Sequence, residues 1–230
     1  YLEIEYEEAT THFFNFTETE ESPVDPPEGG GSSESSDEHW DNVSVVIRGD
    51  ETVEGTTFTA VSGSSSAGHT VTLTGGMTTG AGKWSDGGYV LDGENDYMTI
   101  DAHADFDLDR VFTVEAWLKS ETYTPSNGDG FNYRGQFWSG GTVNVDNFYA
   151  YGAYEDQSGT VTGAGNIPGP DLWVSPITGF DPDDWCHYAY VNDTTGLRLY
   201  INGAFKGKQA HTYDLGNATV DILLGILPAN

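Results

Sequence analysis

Between Gly196 and Gly207 the chain reads GLRLYINGAFKG. Apolar and polar residues alternate up to Ile201, Asn202-Gly203 turns the chain, and a second short strand begins at Ala204 and Phe205. Strand, Asn-Gly, strand is the strongest local signal for a β-hairpin, because the turn that matches strand twist needs positive φ at both central residues. Alternation predicts Leu197, Leu199 and Ile201 on the inward face and Arg198 and Tyr200 on the outward one. A hairpin cannot bury a face alone, so further strands must join it.

They are present throughout the second half of the chain and well before it. Residues 43–48 (VSVVIR) read as a buried strand and residues 69–74 (HTVTLT) as an alternating one. Residues 87–100 (GGYVLDGENDYMTI) read as a hairpin with a polar turn from Asp92 to Asp96. VFTVEAWLKS from Val111, WCHYAYV from Trp185 and VDILLGI from Val220 complete the set. No window supports a long amphipathic helix, and ADFDLD makes one turn at most. The 30 glycines suit a chain with many turns. Regularly spaced short strands predict an all-β, two-sheet antiparallel sandwich. In it Trp117 and Trp185 are expected in the core, and His187 as a partly buried, hydrogen-bonded sheet residue. The single cysteine, Cys186, lies in an apolar run and reads as a buried, inert thiol.

The first 39 residues differ in kind. Residues 1–21 begin with an alternating stretch, YLEIEYEEATTHFFNF, and read as an acidic β-arm. Residues 22–39, rich in Pro, Gly and Ser, read as a flexible linker, and residues 40–230 as the sandwich domain. A lone strand leaves its backbone groups unpaired, so the arm is expected to dock on its own domain, a neighbouring copy or another assembly protein. The chain opens on Tyr1, which predicts a processed product or a fragment.

Charge narrows the partners. With 37 acidic and 8 basic side chains the formal net charge is -29, which repels nucleic acid and anionic membranes. No apolar run approaches the roughly 18 residues of a membrane-spanning helix.

The order of the later pieces carries a family pattern. YVLDGENDYMTI, then DFDLDRVFTVEAWLKS, then DWCHYAYVNDTTGLRLYINGAFKG resembles the laminin-G-like branch of the concanavalin A-like jelly rolls. In that family a "DG-x-x-D-Y" segment precedes "F-T-x-E-x-W", and "W-x-H-x-A" precedes "L-x-L-Y-x-N-G". The resemblance covers residues 43–224, with a less typical insert over 121–180. It implies a jelly-roll sandwich with a concave face and ligand-carrying loops along one rim. The opening WDNVSVVIRGDETVEGTTF is also similar to acidic domains in structural proteins of marine bacteriophages. Family members usually add a closing strand of the type "G-x-I-D-E-V-R-I". Its apparent lack makes the arm a candidate to fill an open sheet edge.

Three chemistries bear on these residues. Related glucanases need carboxylates that flank the scissile bond. The strand VFTVEAWLKS has one acid, Glu115, and the glucanase pattern "E-x-D-x-x-E" is absent, so no catalysis is expected. The six histidines are scattered, with no nucleophile motif beside them. The resemblance implies a calcium ion at the loop rim, with Asp96 and Asp193 as its first ligands and Asp92 behind them. The same acids also read as turn residues that bond nearby backbone. Finally, the insert carries Tyr133, Trp138, Phe148, Tyr149, Tyr151 and Tyr154, which are candidates for stacking on sugars or for core packing. Together these features predict a non-catalytic surface or assembly module, at a virion surface or in another extracellular assembly, displaying a lectin-like jelly roll. The alternative is a carbohydrate-binding module of a secreted protein that contacts cell-surface glycans.

Overall fold

The computed structural model describes residues 40–83, 87–92, 95–106, 111–119, 178–179, 181, 184–210 and 221–225, together with the backbone of strands at 131–133, 136–140, 149–156, 161–166 and 172–174. The arm and linker expected over residues 1–39 lie outside this set.

The chain forms two main antiparallel sheets and a small hairpin. The strands are β1 (Thr57–Ala60), β2 (His69–Thr74), β3 (Thr78–Gly80), β4 (Gly88–Val90), β5 (Tyr97–Ile100) and β6 (Phe112–Leu118). The insert contributes β7 (Phe131–Tyr133), β8 (Gln136–Gly140), β9 (Tyr149–Asp156), β10 (Val161–Asn166) and β11 (Leu172–Val174). They are followed by β12 (Cys186–Asp193), β13 (Gly196–Ile201), β14 (Ala204–Gln209) and β15 (Ile222–Leu224). The larger sheet runs β1-β2-β5-β15-β8-β9-β10-β11, with β7 also paired to β9. The second runs β14-β13-β12-β6, and β3 pairs with β4. Among the described residues the only helical pieces are single 3-10 turns at Trp40–Asn42 and Ala104–Phe106. This is the all-β, two-sheet antiparallel sandwich that the pattern of strands predicted, and the jelly roll that the resemblance implied.

The core lies between the inward faces. Phe58, Ala60, Val71, Met98, Ile100 and Ile222 come from the larger sheet. Val114, Cys186, Tyr188, Tyr190, Leu197, Leu199 and Ile201 come from the four-stranded one. Leu197, Leu199 and Ile201 are each 0–1% exposed, as alternation in the hairpin required. Each such side chain contributes about 1.5–3 kcal/mol of burial. The turn itself holds Asn202 at φ 50° and Gly203 at φ 74°. A bulge on β14 then skips Lys206, so that Leu199 faces Gly207 while Tyr200 faces Phe205. Cys186 is buried, and burial pushes its thiol above the ordinary value.

Two expectations are corrected. Residues 43–48 form no strand. A single bridge, Val46 to Val61, joins them to the sheet, while Val45 and Ile47 pack against the core. Residues 87–100 do not make a hairpin either. β4 pairs with β3, whereas β5 is held on both edges by β2 and β15. Ile222–Leu224, expected as a strand, lies between β5 and β8, and the arm proposed for an open edge is outside the described residues.

A candidate binding face on the four-stranded sheet

Side chains on one strand point alternately to the two faces of a sheet, so the register fixes what the core-distal face carries. Tyr190 pairs with Val114 on one side and Leu199 on the other, all three buried, so the residues that alternate with them along each strand face outward. One outward row is Glu115, Ala189, Tyr200 and Phe205. The next is Trp117 beside His187. On the other side run Thr113, Val191, Arg198 and Lys208.

These rows bring complementary chemistry together. Glu115 Oε2 lies 3.3 Å from His187 Nε2, with each side chain about a quarter exposed. They are diagonal neighbours on adjacent strands, a spacing that long side chains reach. The His187 ring packs 5.2 Å from that of Trp117, and Lys83 Nζ sits 5.0 Å from the Trp117 centroid, within cation–π range. Tyr200 and Phe205 meet edge to face at 5.7 Å, and Phe205 is 57% exposed. His187 is the partly buried, partnered sheet residue that its strand predicted. Trp117 and Trp185 are not in the core. Trp117 shares the parity of Glu115, two residues before it, and that parity is the sequence signal that points it to the outer face, against the expectation of a core position.

The turn between β12 and β13 closes one end of this face. Asp193 Oδ1 accepts from the Thr195 N–H at 2.7 Å, the Thr195 hydroxyl at 2.6 Å and the Gly196 N–H at 3.1 Å. Its Oδ2 pairs with Arg198, whose guanidinium also donates to Thr195 Oγ1 at 3.0 Å. Burial alone would raise the Asp193 carboxyl, but the bonds from Thr195 and Arg198 outweigh it and hold it down at about 2. Its folded pKa therefore lies below its unfolded one. The stability it contributes is present above about pH 4 and is lost as pH falls through about 2. Asp193→Asn is expected to lower unfolding free energy by about 2 kcal/mol at pH 7, with the difference shrinking toward pH 2. Urea unfolding of both proteins across that range checks it.

The other two acids singled out for calcium sit together elsewhere. Asp96, 5% exposed, accepts the Gly76 N–H through Oδ1 at 2.6 Å and the Asp92 N–H through Oδ2 at 3.0 Å. Gly75 has φ 94°, and a Cβ there would run into the Asp96 carboxylate, so close backbone approach is built into this turn. Asp92 is exposed, and its Oδ1 accepts the Asn95 N–H at 3.3 Å. Thus Asp92 and Asp96 are brought together, and Asp193 keeps its own set of partners. As placed, the three carboxylates do not converge as the ligand set of one ion.

Of the aromatic candidates, Tyr133 lies on β7, Trp138 on β8, and Tyr149, Tyr151 and Tyr154 on β9, with Tyr133 in register with Tyr154. Their side chains, and Phe148 altogether, lie outside the described residues.

With this geometry in place, comparison with known proteins is informative. A family model described as the concanavalin A-like lectin/glucanases superfamily matches residues 92–227. The binding domain of a paraclostridial mosquitocidal protein is similar in structure, with a TM-score of 0.57 and 14% identity. That match covers 80% of this chain and 44% of the other, so this chain spans less than half of that protein's length. Domain 4 of an extracellular arabinanase from Geobacillus stearothermophilus, in complex with arabinotriose, matches at a TM-score of 0.46 and 18% identity, covering 70% of this chain and 74% of that one. A glycoside hydrolase family 16 endo-glucanase from Bacteroides ovatus matches at 0.39 and 12% identity, covering 79% of each. No curated protein sequence matches the chain.

Proposed function

The chain belongs to the concanavalin A-like lectin/glucanase superfamily, and from that premise we propose that it is a non-catalytic, lectin-like module that binds glycans, displayed at a virion surface or on another extracellular assembly. The observation that carries the reading is the outward face of the four-stranded sheet. Rings at Trp117, Tyr200 and Phe205 stand beside the Glu115–His187 pair. Sugars are held by stacking their apolar faces on aromatic rings and by hydrogen bonds to a few fixed polar groups, and this face offers both.

The same face argues against hydrolysis. Glu115 is flanked on its strand face by Thr113 and Trp117, and across it by Ala189 and His187. The other acid on this face, Asp193, is four residues from Ala189, about 13 Å along the strand. Paired glycosidase carboxylates stand about 5–5.5 Å apart in retaining enzymes and about 6.5–9.5 Å in inverting ones. Asp193 is also committed to Thr195 and Arg198.

Display on an assembly rests on the acidic arm over residues 1–21 and the linker over 22–39. Such a segment suits pairing with another copy or a neighbouring protein, and leaves the sandwich free to face outward.

A glycan array probed with the full chain, once in calcium and once in chelator, tests the proposal. Binding to a defined glycan class is expected, with Phe205→Ala and Tyr200→Ala each weakening it about tenfold, or about 1.4 kcal/mol. Loss of binding in chelator that added calcium restores would make glycan binding calcium-dependent. Silence on every glycan, or release of reducing ends that Glu115→Gln abolishes, overturns the reading.

A further inference from the structure

Away from the outward face, three side chains converge at the end of the sandwich where β2 begins. His69 opens β2, and His103 and Asp105 lie on the connection that leaves β5. His69 Nε2 is 3.2 Å from Asp105 Oδ2, and His103 Nδ1 is 3.2 Å from Asp105 Oδ1. The three candidate donor atoms all fall within 4.8 Å of one another.

Two features separate this group from an ordinary His–Asp contact. First, the His69 side chain is only 5% exposed, yet its Nε2 makes no hydrogen bond, despite the nearby carboxylate. An unsatisfied buried ring nitrogen costs about 1–3 kcal/mol, so its persistence calls for a ligand. Second, the spacing suits a metal. Neighbouring ligands about 2.0–2.1 Å from a tetrahedral ion stand about 3.3 Å apart, close to the 3.2 Å between His69 Nε2 and Asp105 Oδ2, and the half-exposed His103 ring lies within 4.8 Å of both, near enough to turn onto the same ion.

We propose that His69, His103 and Asp105 form a binding site for one divalent transition metal of the zinc type, with solvent as a fourth ligand. Imidazole nitrogens with one carboxylate suit zinc and its neighbours, and disfavour calcium and magnesium, which take oxygen donors. The supports are in place around the donors. Ser64 Oγ donates to Asp105 Oδ2 at 2.8 Å, and Ser44 Oγ donates to the Asp105 carbonyl at 2.8 Å. Such bonds fix the orientation of a ligating carboxylate. Phe106, 1% exposed, packs 4.7 Å from the His69 ring and anchors the turn that carries Asp105. His103 is the open side, with its side chain 48% exposed. Its Nδ1 accepts the Asp105 N–H at 3.2 Å, a long bond that the metal would displace. The bound ion would join β2, the turn after β5 and, through Asp105, the segments at Ser44 and Ser64, clamping one end of the sandwich.

The test uses the full chain stripped with chelator and titrated with zinc in excess calcium, which occupies the diffuse acidic surface. One zinc per chain is expected, with a rise in unfolding temperature. Cobalt in place of zinc is expected to give the intense visible bands of a four-coordinate site. His103→Ala, at an exposed position that leaves the fold intact, is expected to weaken zinc binding about 10-fold or more, while His187→Ala leaves it unchanged. Absence of saturable zinc uptake, or equal uptake by wild type and His103→Ala, overturns the proposal. Neither outcome bears on glycan binding, which is read on a different face.

Discussion

Tyr190→Ala is expected to destabilise the sandwich by about 3–5 kcal/mol, whereas Tyr200→Ala is expected to cost no more than about 1 kcal/mol. The two tyrosines sit on adjacent strands, one register row apart. Tyr190, 0% exposed, pairs with Leu199 and Val114 at the centre of the core. Removing its ring leaves a cavity that neighbours on both sheets cannot fill, because β5, β12 and β13 are each held on both edges. Tyr200 faces outward against Phe205, and its loss exposes surface without opening the core. Urea unfolding of the two variants reads the difference directly. If Tyr200→Ala proves as damaging as Tyr190→Ala, the parity assigned to β12 and β13 is wrong, and with it the outward face on which glycan binding depends.

Asp96→Ala is expected to cost about 2–4 kcal/mol, and the same amount with calcium or with chelator. The carboxylate is almost fully buried and receives the Gly76 and Asp92 N–H groups, one on each oxygen. Alanine removes the charged acceptor of both bonds, and a hydrogen bond to a charged group contributes about 1.5–3 kcal/mol. The turn it holds aligns β5 with β2, so its loss is felt across the register from Thr74–Tyr97 to Val71–Ile100. Asp96→Asn keeps the shape and one acceptor, and is expected to fall between alanine and wild type. A penalty that appears only in calcium would instead make Asp96 an ion ligand. Thermal unfolding in the two buffers distinguishes a backbone clamp from a metal ligand.

Much of the fold could be read from the chain before any coordinates. The segment from Gly196 to Gly207 specified its own turn, its inward leucines and isoleucine, and its outward arginine and tyrosine. β2, β6, β12 and β15 were likewise visible as alternating or apolar runs, and Glu115 and His187 as sheet-surface and partly buried residues. What failed was the choice of partners. Residues 87–100 contain two strand-forming runs around a polar turn, and this looks like a hairpin. Nothing local shows that Met98 and Ile100 are better matched to Val71, Leu73 and Ile222, which lie far away in sequence. Residues 43–48 were apolar enough for a strand, but they pack from the side and keep only one bridge. Trp117 was expected inside because it is large and apolar, although the parity of its own strand puts it outside.

Determined by the sequence alone, then, were the strand content, the hairpin after β12 and the alternation that sorts inward from outward residues. All of these rest on periodicity and turn chemistry over a few neighbouring residues. Only the tertiary structure decided that β4 turns to β3, that the last described strand lies between β5 and β8, and that Trp117 stands beside His187. It alone brought His69 to His103 and Asp105. A period of two specifies which way a side chain points, but carries no information about which distant strand will lie beside it. That pairing is selected by the shared burial of faces from the whole chain, and a site assembled across such pairings has no signature in any one segment.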